Sequence, residues 1–318
     1  MLTSFEICAG AGGQALGLEM AGFHHVGLLE IDPHACATLR LNRPGLTIIE
    51  QDVRQFNGTG LRGIDLLAGG VPCPPFSKAG HQHGERDERD LFPHALRLVD
   101  EIRPKAVMLE NVRGLLDTVF YEYRQHIVTT LHTLGYTADW HLLNASNYGV
   151  SQLRPRVVCV AVRRDMAHHF AWPIPFETKP PTVGELLYDL MAERGWKLAT
   201  EWRAIANDIA PTLVGGSKKH GGPDLGPTRA RQAWSKLGVD GRSIADHAPD
   251  ADFVGMPRIT TRMAARLQGF PDEWIIYGRK TAAYKQVGNA FPPPVAMAVG
   301  KQIRRCLEAA QKERLFAV

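Results

Sequence analysis

A short apolar run, Ser4 to Cys8, breaks into glycines at positions 10, 12 and 13, and a helical pattern then runs from Gln14 to Ala21. A strand that turns through glycine straight into a helix opens a βαβ unit, which commits this part of the chain to a mostly parallel sheet. The alternation continues. His25 to Leu29, Leu46 to Ile49, Ile64 to Ala68, Ala106 to Leu109 and Val157 to Val162 read as strands. Helical stretches fall near Pro33 to Leu41, Leu91 to Ile102 and Glu122 to Leu134. The expected fold class is α/β.

After Asp165 the texture changes. Prolines cluster at 173, 175, 180 and 181, and seven glycines fall between Pro211 and Gly241 with little clear periodicity. Helical periodicity returns at Thr261 to Leu267 and from Pro294 to Gln311. At roughly 150 residues per domain, 318 residues allow about two domains. The reading is an α/β domain, a glycine-rich second domain, and a last helix that returns to the first.

Composition removes other classes. With 44% hydrophobic and 22% charged residues, the chain is neither generally disordered, nor collagen, nor coiled coil. No apolar run reaches the ~18 residues a membrane helix needs, and no secretory signal opens the sequence. Cysteines at 8, 36, 73, 159 and 306 form no C-x-x-C pair, so a reduced, cytoplasmic protein without a metal site is expected. The net charge of 37 − 33 = +4 permits a polyanionic partner without demanding one.

Five segments carry candidate chemistry. Gly10-Ala11-Gly12-Gly13-Gln14-Ala15 fits G-x-G-x-x-A, where glycines let backbone N–H groups approach a ligand at the sheet's edge. Glu30, 20 residues after Gly10, stands where an acid accepts bonds from a ribose diol, and Asp52 stands past the third strand. Together these indicate an adenosine-type cofactor without separating NAD from S-adenosylmethionine. Cys73 follows a strand and is wedged in Pro72-Cys73-Pro74-Pro75. A lone cysteine is more often structural, but a stiff loop leaving a sheet edge suits a nucleophile. Glu110, in Glu110-Asn111-Val112, closes another strand on the same rim, where burial can turn a carboxyl into a proton donor. Arg154 and Arg156, two apart on an extended segment, point the same way and could steady an anion or a carbonyl oxygen. Gly288-Asn289 reads as a turn at the start of the last helix, offering an amide and free N–H groups.

The set, in this order, resembles the DNA (cytosine-5)-methyltransferases of the bacterial restriction-modification type. Glu6-Ile7-Cys8-Ala9-Gly10-Ala11-Gly12-Gly13 is similar to their first motif, with Glu6 for the usual Asp and Cys8 for the usual Phe. Pro72-Cys73-Pro74-Pro75-Phe76-Ser77 is similar to the P-C-x-x-F-S loop, Glu110-Asn111-Val112 to E-N-V, and Gln152 to Arg156 to Q-x-R-x-R. Arg266-Leu267-Gln268-Gly269-Phe270-Pro271 and Gln286-Val287-Gly288-Asn289-Ala290 complete the series.

The resemblance implies a Rossmann-like methyltransferase sheet formed by residues 1–168 plus 282–318, with a target-recognition domain over 169–281. It implies transfer of a methyl group from S-adenosylmethionine, leaving S-adenosylhomocysteine, to carbon 5 of a cytosine flipped out of duplex DNA. Cys73, Glu110, Arg154 and Arg156 would be catalytic. Cys8, Gly10, Ala11, Gly12, Gly13, Glu30, Ile31, Asp52, Val53, Pro72, Leu91 and Asn289 would hold the cofactor. Ser77, Lys218, Lys219, Arg229, Arg231 and Arg242 would meet DNA. His81 to Asp90 would be a lid. Trp196, Trp202 and Trp234 are expected in the core of the second domain. The protein is expected to act as a monomer, without metal, and to share its site with a cognate restriction endonuclease. A tRNA cytosine-5 methyltransferase and an NAD-dependent oxidoreductase are the alternatives.

Overall fold

The computed structural model describes residues 1–72, 90–215 and 223–316. Cys73, Ser77, Lys218, Lys219 and residues 81–89 of the expected lid lie outside them. Seven strands form one sheet: β1 (Leu2–Ile7), β2 (Phe23–Glu30), β3 (Ile48–Glu50), β4 (Leu66–Gly70), β5 (Ala106–Val112), β6 (Tyr136–Asn144) and β7 (Pro155–Arg163). Their order is β3-β2-β1-β4-β5-β7-β6. β1 to β5 pair in parallel, and β7 runs antiparallel to both β5 and β6. The order reverses between β1 and β4, and a crevice for a ligand opens at such a switch point, beyond the carboxyl ends of the strands.

Successive residues of a strand face opposite sides of the sheet, and the two faces here carry two packing layers. Leu66, Ala68, Ala106 and Met108 join a core with Leu18 of α1 (Gly13–Met20). Leu67, Val107 and Leu109 join another with Phe92, Leu98 and Val99 of α3 (Phe92–Ile102) and Ile127 of α4 (Tyr121–Thr133). Because both faces are covered, the central strands read as continuous apolar runs. α2 (Pro33–Asn42) starts on Asp32, whose side chain accepts from the N–H groups of His34 and Ala35. β6 escaped the sequence reading. It is a sheet edge in which exposed Thr137, His141 and Leu142 alternate only loosely with buried positions, so neither an apolar run nor a clean period of two marks it.

Between residues 183 and 289 lie α5 (Val183–Ala192), α6 (Ala199–Ile205), α7 (Thr228–Lys236), α8 (Thr261–Leu267) and α9 (Lys280–Asn289). They enclose a separate core in which Trp196, Trp202 and Trp234 are buried, as expected. Ala11 and Leu16 join that core, as do Tyr284 and Val287 of α9. The boundary expected between 281 and 282 therefore falls inside α9, and the second core abuts the glycine turn.

The last helix, α10 (Pro293–Phe316), packs on the β-sheet domain as expected, its Ala296, Val299 and Ile303 sharing a core with Leu18 and Phe23. Gly17 permits the contact. A Cβ there would lie 2.4 Å from the Pro293 carbonyl oxygen and 2.5 Å from Ala296 Cβ.

Candidate active site

The turn after β1 is built from left-handed residues: Cys8 has φ 52°, Gly10 φ 53° and Gly12 φ 82°. A left-handed cysteine is unusual and costs of order 1–3 kcal/mol, a strain typical of ligand sites. The turn borders a cavity of about 500 Å³ at the switch point, a size that suits a cofactor.

Most of the expected cofactor residues converge on it. Cys8, Gly10, Ala11 and Gly13 form one wall, and Glu30 and Ile31 come from the end of β2. Asp52 and Val53 follow β3, while Pro72, Leu91 and Asn289 close the rim. Gly12 is absent from the lining. A Cβ at that position would meet Leu39 Cδ2 at 2.7 Å and Trp274 Cζ2 at 2.9 Å, so Gly12, the residue before α1, makes room for these two neighbours. Asn289 corrects another expectation. It ends α9 instead of opening α10, and Ala290 to Pro292 separate the two helices. Glu6, Gln14, Asp32, Arg54, Lys285 and Phe291 also line the cavity and were missed. Glu6 and Gln14 sit inside the first motif, where the glycines drew the attention. Lys285 and Phe291 are reachable only through the tertiary fold.

The polar geometry is definite. Glu30 Oε2 accepts from Gly10 N at 2.7 Å, and its Oε1 accepts from Ile31 N and Asp32 N, both at 2.8 Å. The carboxylate is thus fixed, with acceptor capacity left for hydroxyl groups. Asp52 is gripped by Arg54, with Nη2 2.5 Å from Oδ2, and those bonds hold its carboxyl below the usual range. Burial, reinforced by Glu30, Glu19 and Glu110, holds the Glu6 carboxyl well above it. Five carboxyl groups (Glu6, Glu30, Asp32, Asp52 and Glu110) face two cationic side chains, Arg54 and Lys285. Arg54 is engaged by Asp52, and burial shifts Glu6 and Glu110 toward their neutral acids, so the lining offers hydrogen-bonding groups more than a concentrated negative charge.

At the mouth, Glu110 is buried, and burial raises its carboxyl pKa above the usual range against the pull of Arg156 and Arg154. Arg156 Nε lies 2.8 Å from Glu110 Oε1. The N–H is poorly aligned with that oxygen, so the contact is an ion pair more than a directed hydrogen bond. Asn111 Nδ2 donates to the Val71 carbonyl at 2.7 Å, tying β5 to the residue before Pro72. Leu91 N donates to the Pro72 carbonyl at 3.3 Å, so the residues flanking 73–90 are held together. Burial also raises the four described thiols. Cys36 is pushed up to about 12 and Cys306 to about 11, and Cys8 and Cys159 are raised as well.

Arg154 and Arg156 part company. Arg154 is fully buried, and its Nη1 donates to the Leu213 carbonyl at 2.6 Å. Its Nη2 donates to the carbonyls of Gly288 at 2.7 Å and Ala290 at 3.1 Å. Gln152 and Gln268 extend the network, with Gln152 Nε2 donating to Gln268 Oε1 at 2.7 Å and Gln268 Nε2 to the Ala290 carbonyl at 2.6 Å. The catalytic role expected of Arg154 is therefore corrected. Its guanidinium is committed to main-chain carbonyls that join the second core to the α9–α10 corner. Replacing Arg154 by Met should cost about 3 kcal/mol or more, because several buried carbonyls lose their donor. A urea titration checks this through the fall in the unfolding midpoint.

Of the expected DNA-contacting residues, Arg229 is exposed and Arg231 half-buried, both on α7. Arg242 is exposed but paired with Asp240, its Nε 2.9 Å from Oδ1, and Arg258 shares the same carboxylate.

A family model described as C-5 cytosine-specific DNA methylase matches residues 2–305. The type II methyltransferase M.NgoMIV of Neisseria gonorrhoeae is 58% identical over 309 residues, covering 96% of this chain and 98% of that one. M.NaeI of Lentzea aerocolonigenes, also a type II methyltransferase, is 56% identical over 320 residues, covering 98% and 77%. Among solved structures, a candidate DNA modification methyltransferase from an E. coli prophage superposes with a TM-score of 0.69 at 24% identity, over 97% of this chain and all of the other. That likeness speaks to the fold alone.

Proposed function

The chain belongs to the family of C-5 cytosine-specific DNA methylases, and from that premise we propose how its residues methylate carbon 5 of cytosine in DNA. The observation that carries the reading is one cavity in which the glycine turn, the fixed Glu30 carboxylate and the buried Glu110 meet beside Pro72.

S-adenosylmethionine fits the cavity's donor set. Glu30 would accept from its ribose hydroxyls, and Asp52 would face its base or amino groups. When bound, it supplies an electrophilic methyl group. The chain's own residues do the rest. The Cys73 thiolate adds to carbon 6 of an extruded cytosine, and Glu110 holds and protonates N3 as charge develops there. Arg156 keeps the Glu110 carboxyl in place. Once carbon 5 carries the methyl group, its proton passes to solvent water, Cys73 leaves as the thiolate, and N3 returns its proton to Glu110, which restores the neutral aromatic ring.

Residues 169–281 would form the recognition part. Arg229 would contact phosphate, whereas Arg242 has its charge offset by Asp240. Arg229→Ala should lower the slope of log K against log salt by about 0.9, and so should each of Lys218→Ala and Lys219→Ala if it meets a phosphate. Arg242→Ala should lower it less. Fluorescence anisotropy with labelled duplex over a salt series measures this.

Identity above 50% to two type II methyltransferases favours DNA over tRNA as substrate and supports a role as the modification enzyme paired with a restriction endonuclease. Bisulfite sequencing of plasmid from an expressing host should show 5-methylcytosine in one recurrent sequence. Unmodified plasmid, with tritiated methyl groups appearing in tRNA instead, would overturn the reading.

A further inference from the structure

Away from the cofactor cavity, two segments distant in sequence bring three metal-binding side chains together. The 3₁₀ turn Arg164–His169, directly after β7, ends in adjacent histidines, and α10 passes beside it. His168 Nε2 and His169 Nε2 lie 3.5 and 2.8 Å from the same atom, Glu313 Oε2. All three donor groups lie within 4.8 Å of one another, and the imidazole centroids are 3.9 Å apart.

One carboxylate oxygen thus sits between two imidazole nitrogens, and a single cation bound at that centre would engage all three donors at once. Zinc binds imidazole nitrogen and carboxylate oxygen at about 2.0–2.2 Å, which sets tetrahedral donors roughly 3.3 Å apart. The two imidazole-to-carboxylate separations bracket that figure, and the third, which lies within 4.8 Å, would close by rotation of the exposed His168 side chain. His169 is 23% exposed, while His168 and Glu313 are 58% and 60% exposed. The site is thus open to solvent, with room for water as a further ligand. The neighbouring Arg314 is paired with Asp165, so its charge does not stand unopposed beside an incoming cation.

We propose that His168, His169 and Glu313 form a surface site for a zinc-class divalent ion, which clips α10 to the turn after β7. Two imidazoles and one carboxylate select Zn²⁺, Ni²⁺ or Cu²⁺ over Mg²⁺ or Ca²⁺. Neither the Arg164–His169 turn nor α10 contributes a residue to the lining of the cofactor cavity, so the site's function would be structural stabilisation rather than a part in methyl transfer.

The test is calorimetric titration of the full chain with Zn²⁺ at pH 7.5 in a non-chelating buffer, with Mg²⁺ as the hard-cation control. Cysteines and other histidines also take zinc, so the wild type is compared with the His168→Ala/His169→Ala double variant. The expected result is one equivalent fewer in the double variant, and an affinity for that equivalent about tenfold or more weaker in Glu313→Gln. Zinc should also raise the melting temperature of the wild type more than that of the double variant. That shift is read within each protein, so a variant that is less stable without metal still reports. Equal stoichiometry, affinity and zinc-induced shift in wild type and double variant would overturn the proposal.

Discussion

A DNA duplex with 5-fluorocytosine at the target position should trap this protein covalently in the presence of S-adenosylmethionine, and Cys73→Ala should form no adduct and transfer no methyl group. Fluorine at carbon 5 blocks the final proton loss, so the thioether between Cys73 and carbon 6 cannot be released. The assignment rests on the Pro72-Cys73-Pro74-Pro75 sequence and on elimination. Burial keeps Cys8, Cys36, Cys159 and Cys306 protonated, and a thiol is a poor nucleophile. Cys73→Ala should still bind cofactor and DNA. Each of the other four cysteines should tolerate Ala with transfer retained, although Cys8→Ala should weaken cofactor binding because Cys8 lines the cavity. Peptide mapping by mass spectrometry decides the matter, and an adduct on any cysteine other than Cys73 would sink the mechanism.

Glu110→Gln should lower the rate of methyl transfer by about 10²–10⁴. The amide keeps the shape and can still donate a hydrogen bond to N3, but it cannot deliver a proton. The same change should slow adduct formation with the fluorinated duplex, because charge at N3 builds during the addition of Cys73. The pH dependence follows from the direction of the shift. Burial raises the Glu110 carboxyl above its ordinary value, so the acid form persists to higher pH than for a free glutamate. It is lost as pH rises through the raised value. The wild-type kcat/KM should therefore carry a falling limb on the alkaline side, and Glu110→Gln should remove that limb. Arg156→Met leaves a buried carboxyl without its cation. It should push the Glu110 value higher still and move the falling limb further to alkaline pH. Single-turnover rates over a pH series distinguish these outcomes.

Much of this site was legible because its chemistry needs distinctive residue types at strand ends. The glycine turn, Glu30, Asp52 and Glu110 are each placed by a strand that reads as an apolar run, and the parallel sheet delivers all of them to one edge. What failed is what the sequence pattern does not encode. Arg154 and Arg156 look alike in the chain, yet one is enclosed by the carbonyls of Leu213, Gly288 and Ala290 while the other meets Glu110. Gly12 belongs to the glycine motif, but its space is claimed by Leu39 and Trp274, residues whose approach depends on the folded chain. The helices α5 to α7 were hidden because their apolar positions serve a small irregular core rather than a sheet. Asn289 was assigned to the wrong side of a corner because α9 and α10 follow one another with only three residues between them.

The cavity joins Glu6 to Gln14 at one end of the sequence with Lys285 to Phe291 near the other. α10, held against α1 at Gly17, closes the same circuit. This arrangement sets a clock on biosynthesis. At about 5–20 residues per second, the glycine turn leaves the ribosome roughly 15–55 s before the corner that completes its pocket. A nascent or prematurely terminated chain would hold the first motif, Cys73 and Glu110 and still lack a finished cofactor site. Methylating capacity would then appear only in molecules translated almost to their last helix, and fragments released earlier would be chemically silent toward the genome.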